Sequence, residues 1–291
     1  MKKILLLTDF SEASKKAIHF AQALFDDTAV EFSLLHAYPL ESDTMYGTTF
    51  LMEEAEQNAY RSLQEMLSEL MANYHPPFHS YQIRTAPGSP IGAVEAALEQ
   101  ESFDYVVVGA SGSGFMAVLG SVATGLVRHA KTNVLVVPHT ITIRPVREVV
   151  LATDSSTLQH VPCLEPLNEL VTRKSARLTA LSIVNSQTPK LVGEAFDDYN
   201  QRLAQVFDSV ETGPYFIMDD EVEHGINTYL TTHSVDLLVT VPHRKTLMDA
   251  VWNRSLTRRL AFRPPVPLLA LYDPEPVSRG ESAEKPFFDE A

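Results

Sequence analysis

The chain has 291 residues, room for two domains of ordinary size, and its 45% hydrophobic and 21% charged residues are a globular composition. A formal net charge of −14, with no long run of Lys or Arg, excludes nucleic acid and an anionic membrane surface as principal partners, because both need concentrated positive charge. The single cysteine, Cys163, rules out an intrachain disulfide framework and a cysteine-built zinc site.

Basic Lys2 and Lys3 precede the apolar run Ile4–Leu7, but the run stops at Thr8-Asp9, too soon for the core of a signal peptide. No segment offers the ~20 apolar residues of a membrane span, so the cytoplasm is the expected compartment. Ile4–Leu7 reads as a buried strand ending in the turn Thr8-Asp9-Phe10-Ser11. Either Asp9 or Ser11 can cap the helix that follows, where Ala17, Ile18, Ala21 and Leu24 recur at helical spacing. A second apolar strand covers Phe32–Ala37, and a long helix covers about Leu51–Met71 with Leu63, Met66, Leu67 and Leu70 on one face. Tyr81–Thr85 alternates like an edge strand and ends at Pro87-Gly88-Ser89-Pro90. A helix over Ile91–Leu98, a strand over Tyr105–Val108 stopping at Gly109, a helix over roughly Val122–Ala130 and a strand over Val134–Val137 complete the series. Continuous Val/Ile/Leu strands alternating with helices predict a parallel sheet covered on both faces, one doubly wound α/β domain of five strands.

The pattern then restarts. Val149–Ser155 echoes Leu5–Asp9, Arg177–Val184 echoes the second strand, Asp236–Val239 echoes Asp104–Val107, and Pro267–Leu271 echoes the fifth strand. Four echoes in order and at nearly constant spacing predict a duplication. The expected architecture is α/β, with two tandem doubly wound five-stranded parallel-sheet, Rossmann-like domains. They span residues 1–140 and 146–273, joined through Pro138–Pro145, and residues 274–291 read as an acidic, disordered tail.

The strongest chemical signal is Gly109-Ala110-Ser111-Gly112-Ser113-Gly114, directly after an apolar strand and ahead of a helix. Ligands of open α/β sheets bind outside the carboxyl ends of the strands, where this segment falls. Glycines allow positive φ and close approach of a bulky anion, and the next helix's amides supply partial positive charge. Gly120-Ser121, at the start of that helix, can donate in the same way. A plain αβ turn that needs small residues would use the same composition. Gly112–Ala117 formally fits G-x-G-x-x-G/A, but it follows the fourth strand and not the first, and no Gly-Lys-Ser/Thr phosphate loop occurs. Ser111 lacks the second glycine of a nucleophile elbow, since position 113 is Ser. Asp9, at the end of the first strand, can serve as a cap, as an acceptor for a nucleobase or ribose, or as both. His36, ending the second strand, reads as a satisfied core histidine. His243-Arg244-Lys245 with Arg254, Arg258, Arg259 and Arg263 reads as a solvated basic face, or else as an anion site built from side chains.

These residues resemble the universal stress protein family, within the adenine-nucleotide hydrolase-like group of folds, over Lys2 to about Tyr272. Nucleotide-binding members carry a first-strand Asp and the motif G-x2-G-x9-G-S/T, matched here by Asp9 and by Gly109, Gly112, Gly120 and Ser121. The resemblance implies ATP or a related adenine nucleotide in the first domain. Its phosphates would lie on Gly109, Gly112, Gly114, Gly120, Ser121 and Val122, with Mg²⁺ held through those phosphates and the adenine side on Thr8, Asp9 and Ala37. It also implies pairing of the two domains through their fifth strands as an internal pseudo-dimer, with a homodimer beyond that. Seven residues separate Gly112 from Gly120, two fewer than in the pattern, and Leu7 stands where many binders have Pro. In the second half Val241, Arg244 and Arg254 replace the glycines, so binding there is not expected. No catalytic residue or metal ligand is evident, and the protein is expected to be a regulatory stress-response protein with at most weak ATPase activity. A member that binds no nucleotide and acts through protein contacts or a small apolar ligand is the other reading, and a slow ATP-hydrolysing enzyme the third.

Overall fold

The strands form where the apolar runs are uninterrupted. The computed structural model describes residues 1–39, 48–73, 76–110, 117–153, 161–184, 194–208, 210–242 and 265–274. The first half runs β1 (Lys2–Leu7), α1 (Glu12–Leu24), β2 (Val30–Tyr38), α2 (Thr48–Asn73), β3 (His79–Pro87), α3 (Pro90–Gln100), β4 (Tyr105–Ala110), α4 (Ala117–His129) and β5 (Asn133–Pro138). The second runs β6 (Glu148–Ala152), α5 (Val161–Lys174), β7 (Arg177–Val184), α6 (Glu194–Val206), β8 (Thr212–Met218), α7 (Val222–Thr232), β9 (Leu237–Thr240) and β10 (Leu268–Ala270). All ten strands join one sheet in the order β3-β2-β1-β4-β5-β10-β9-β6-β7-β8. Every pairing is parallel except the central one, where β10 runs antiparallel to β5 with Leu269 opposite Leu135.

Alternation along the strands divides the core into two layers. Ile4, Leu6, Phe32, Leu34, Tyr105 and Val107 face α1 and α2, meeting Ala17, Ile18, Leu63 and Met66. Leu5, Leu7, Leu35, Val106 and Val108 face the other way, onto Val94 and Ala97 of α3 and Ala123 and Leu126 of α4. Both layers continue across the β5–β10 join, through Leu135 with Leu269 on one side and Val136 with Leu268 on the other. The edge strands β3 and β8 are only partly covered, as their mixed sequences imply.

The same local hydrogen bonds recur in each half. The Asp104 amide donates to the Lys3 carbonyl at 2.8 Å while the Asp104 carboxylate accepts from the Lys3 amide at 2.7 Å. Asp236 and Glu148 repeat both bonds, at 2.8 and 2.9 Å. Thr8 and Thr153 each donate their amide to the carbonyl of a β2 or β7 residue, Leu35 or Leu181, at 2.9 Å.

Three elements differ from the expected bounds. The fourth strand does not stop at Gly109 but pairs through Ala110, because Gly109 and Ala110 keep register with Val137 and Pro138. Helix α2 is longer at both ends, covering Thr48–Asn73. Helix α4 begins at Ala117 and not near Val122, since Ala117, Val118 and Leu119 carry little penalty against helix. Among the described residues no helix is long and apolar enough to cross a membrane. The tail beyond residue 274 lies outside the described residues.

Candidate functional site

Helix α1 follows β1 onto one face of the sheet, while α3 and α4 flank β4 on the other. The neighbouring strands β1 and β4 therefore part company at their carboxyl ends, and a crevice opens there. Its lining is Leu7, Thr8, Asp9, Ser11, Ser14, Ala37, Pro90, Val108, Gly109 and Val122. Of the residues singled out from sequence, Thr8, Asp9, Ala37, Gly109 and Val122 meet in this crevice. Gly112 and Gly114 lie outside the described residues. Gly120 and Ser121 lie inside α4, one turn beyond Ala117, and not at its first residue as expected.

The first wall is the N-terminus of α1. Ser11 is the cap, with extended φ −68° and ψ 160°, and its hydroxyl oxygen accepts from the Ser14 amide at 3.3 Å. Asp9 stands one step behind it. Its Oδ1 accepts from the Ser11 amide at 3.1 Å and from the Ser11 hydroxyl at 2.5 Å, so the carboxylate orients the cap instead of capping. Thr8 is buried, and its hydroxyl meets Ser14 Oγ at 3.0 Å and accepts from the Phe10 amide at 3.0 Å. This turn forces Phe10 to φ 64°, a conformation costly for a bulky side chain. The His36 ring packs against Phe10 with centroids 4.4 Å apart, and His36 Nδ1 donates to the Thr8 carbonyl at 2.8 Å. His36 is thus a satisfied structural histidine. Ser182 does the same work in the second half, donating to the Thr153 carbonyl at 3.0 Å.

The floor is Gly109, and here the expected reason for a glycine is corrected. No positive φ is involved. A Cβ at Gly109 would stand 2.5 Å from the Ala13 carbonyl oxygen and 2.9 Å from the Ser14 nitrogen, so the close approach is that of α1 itself. The opposite wall is α3, capped by Ser89, whose hydroxyl accepts from the Gly92 amide at 3.1 Å, with Pro90 at its first turn. Sequence reasoning missed Leu7, Ser11, Ser14, Pro90 and Val108 as lining residues. The Ser89-Pro90 pair is a helix-start signal that could have placed Pro90 there.

The electrostatics are those of backbone. Among the described residues of the lining Asp9 is the only titratable side chain, and none is Lys or Arg. Two helix N-termini, of α1 and α3, border the crevice and offer amide dipoles to an anion. No group of three or more His, Cys, Asp or Glu among the described residues could hold a metal ion. Cys163 is buried and is not among the lining residues, and burial pushes its thiol up to about 12, which keeps it protonated.

The second half offers a different environment. Its α7 begins after Asp219-Asp220-Glu221, and its cap residue Glu221 makes no side-chain capping bond. The Asp219 carboxylate accepts from the Glu221 amide at 2.9 Å and from His224 at 2.5 Å, so acidic groups already occupy this helix end. Val241, one residue past the end of β9 and at the place that matches Gly109, is a buried side chain. Arg244 and Arg254 lie outside the described residues.

Residues 1–138 match the model of the universal stress protein family. This part of the chain belongs to that family. Over the whole chain the fold is that of a universal stress protein from Archaeoglobus fulgidus, 17% identical, with a TM-score of 0.71 and coverage of 94% of this chain and 97% of the other. A putative universal stress protein from Pseudomonas aeruginosa, 13% identical, superposes with a TM-score of 0.62 over 93% of each chain. None of the curated proteins matches the chain in sequence.

Proposed function

We propose that the crevice between β1 and β4 binds ATP or a related adenine nucleotide, and that the protein is a regulatory stress-response protein of the cytoplasm. The observation that carries this reading is the convergence of two capped helix N-termini on a crevice with no Lys or Arg among the described residues of its lining. Such a site suits a polyanion received by backbone amides. Residues 111–116, rich in Gly and Ser, follow β4 in sequence and would receive the phosphates, with Mg²⁺ held through them. Thr8, Asp9 and Ala37 would face the adenosine end. Asp9 retains a second carboxylate oxygen for a ribose or base donor, since Oδ1 is taken by Ser11. Asp9 and Ser11, the carboxylate and hydroxyl that meet in the crevice, are both engaged in ordering the N-terminus of α1, so any hydrolysis would be slow.

In this reading residues 1–140 and 146–273 are two copies of one domain, paired as an internal pseudo-dimer through β5 and β10, and 274–291 form an acidic tail. The second copy has lost the site: Val241 fills the floor, and carboxylates stand at its helix end. The paired chain could dimerise once more. One observation favours a second reading. Leu7, Ala37, Val108 and Val122 give the first crevice an apolar side, which suits a small apolar ligand in a member that binds no nucleotide.

Calorimetric titration with ATP and Mg²⁺ separates the two. Binding in the micromolar to millimolar range that is lost in Gly112→Arg and in Ala37→Trp supports the nucleotide. No heat at millimolar ATP rejects it. Gly109→Val is a poor probe, because its side chain would strike the α1 backbone and not only the ligand.

A further inference from the structure

Among the described residues the two halves meet through a short ladder, the core layers on its two faces and a charged contact, and that contact is strongly one-sided. The ladder is three residue pairs, from Leu268 opposite Val136 to Ala270 opposite Val134, extended by the Tyr272 amide donating to Asn133 Oδ1 at 2.9 Å. Beside it the C-terminal ends of α1 and α5 come together. Arg173 and Lys174, the last turn of α5, reach over the end of α1. Arg173 Nη1 donates to the Leu24 carbonyl at 3.2 Å and Lys174 Nζ to the Ala23 carbonyl at 3.3 Å. Those carbonyls belong to the last turn of α1, which carries no basic residue of its own. The same two cations pair with the acids that follow: Arg173 with Asp27, and Lys174 with Asp26 at 2.5 Å and with Asp27 at 3.3 Å. The Arg173 guanidinium also lies over the Phe25 ring, 5.3 Å from its centroid. Lys2 of β1 adds a further cross-link to Glu169 of α5 at 2.6 Å.

We propose that this contact is a charge code that makes the first half pair with a second half and reject another first half. The inference rests on reading the halves as two copies related by a local twofold. About such an axis a contact of i with j recurs as j with i, and residues close to the axis meet their own equivalents. Asp27 and Arg173 are such equivalents, each four residues before the residue that pairs with Lys3 or Glu148, and they touch. Two first halves would set Asp26 and Asp27 against a second Asp26 and Asp27, beside two uncapped helix C-termini that are themselves partly negative. Two second halves would set Arg173 and Lys174 against their own copies. Only the unlike pair places cations on carbonyls and on carboxylates together. The cations are mostly covered, with side chains 16% and 13% exposed, so an unmatched partner leaves a buried charge unpaired. Specificity of this kind comes from the cost of the wrong pair as well as the gain of the right one. The preferred partner of the first half's α1 end is therefore a surface with a paired Arg-Lys at a helix C-terminus.

Amide hydrogen exchange on the full chain tests this, comparing the Tyr272 and Leu268–Ala270 amides with those of β1 and β2. Charge reversal on either side, Arg173→Glu with Lys174→Glu or Asp26→Lys with Asp27→Lys, should speed exchange at the join at least tenfold while β1 and β2 stay protected. The fourfold variant, with all four charges reversed, should recover part of that protection. Asp26→Asn with Asp27→Asn is the milder variant should a reversal prevent folding, and it should loosen the same amides by a smaller factor. Unchanged exchange at the join, an equal rise throughout the sheet, or a fourfold variant no better than its parents would each overturn the proposal. None of these outcomes depends on ATP, so failure here and failure of nucleotide binding are told apart by the calorimetry.

Discussion

Gly109 lies directly beneath Ala13, so close that a Cβ would stand 2.5 Å from the Ala13 carbonyl oxygen. This contact seats the first turn of α1 on the end of β4 and so sets the width of the crevice. Gly109→Ala must push α1 away or distort β4, and we expect a loss of about 1–3 kcal/mol by urea denaturation. Gly225→Ala is the control. Its added Cβ would meet only side-chain atoms of Ile183, Cδ1 at 2.8 Å, Cγ2 at 3.0 Å and Cγ1 at 3.2 Å, and no backbone. Helix α7 gains about 1 kcal/mol from alanine, so the net change should stay within about 1 kcal/mol. Equal losses in the two variants would argue against the helix–strand contact.

Ser11→Ala removes the side chain that accepts from the Ser14 amide and donates to Asp9. A lost N-cap costs about 1 kcal/mol. The same variant leaves Asp9 Oδ1 with only the backbone amide of residue 11 and loosens the α1 N-terminus, so ATP affinity should fall with stability. Ser89→Ala should cost a similar amount at α3. Stability unchanged in Ser11→Ala would mean that Asp9 carries the cap.

His224 and Asp219 form an exposed pair at 2.5 Å. The Asp219 hydrogen bond raises His224 above its ordinary 6.5, and the Glu221 amide, followed by His224, holds Asp219 below its ordinary 3.8. The raised group stabilises fully below 6.5 and loses that contribution as pH rises through its folded value. The depressed group stabilises above 3.8 and loses it as pH falls through its own. The α7 end is therefore firmest between those two limits. In a proton NMR titration His224 should titrate above 6.5 and return toward it in Asp219→Asn. A His224 curve identical in both proteins would show that the pair does not form.

Cys163 is covered by the core, and its thiol is pushed up to about 12 by burial. Native protein at pH 8 should resist a thiol reagent for as long as it stays folded. The single thiol should then react in step with the denaturation curve. Rapid labelling of native protein would mean that α5 opens locally.

The strands were legible because burial on both sheet faces demands continuous apolar runs, and Val106–Val108 or Leu5–Leu7 have no other stable use. The crevice was legible at Thr8, Asp9 and Ala37, since each stands at the end of a strand where the sheet rule puts ligands. Ser14 and Val108 were not, because one is a residue of the first turn of α1 and the other reads as plain core. Gly109 was found for a reason that proved incomplete, since a glycine pattern cannot tell a ligand's approach from a helix's. The start of α4 was missed for want of contrast: Ala117 to Ser121 show no period that marks a boundary. The one-sided α1–α5 contact was invisible, because nothing in sequence brings Asp26 and Asp27 beside Arg173 and Lys174.

The central claim is that a nucleotide lies in the first crevice and not in the second half. Amide chemical-shift mapping during an ATP titration addresses it residue by residue. The account predicts saturable shifts at Thr8, Asp9, Ala37, Gly109 and Val122, with Thr153, Ile183 and Val241 unmoved. Shifts confined to the second half, or none at millimolar ATP, would contradict it.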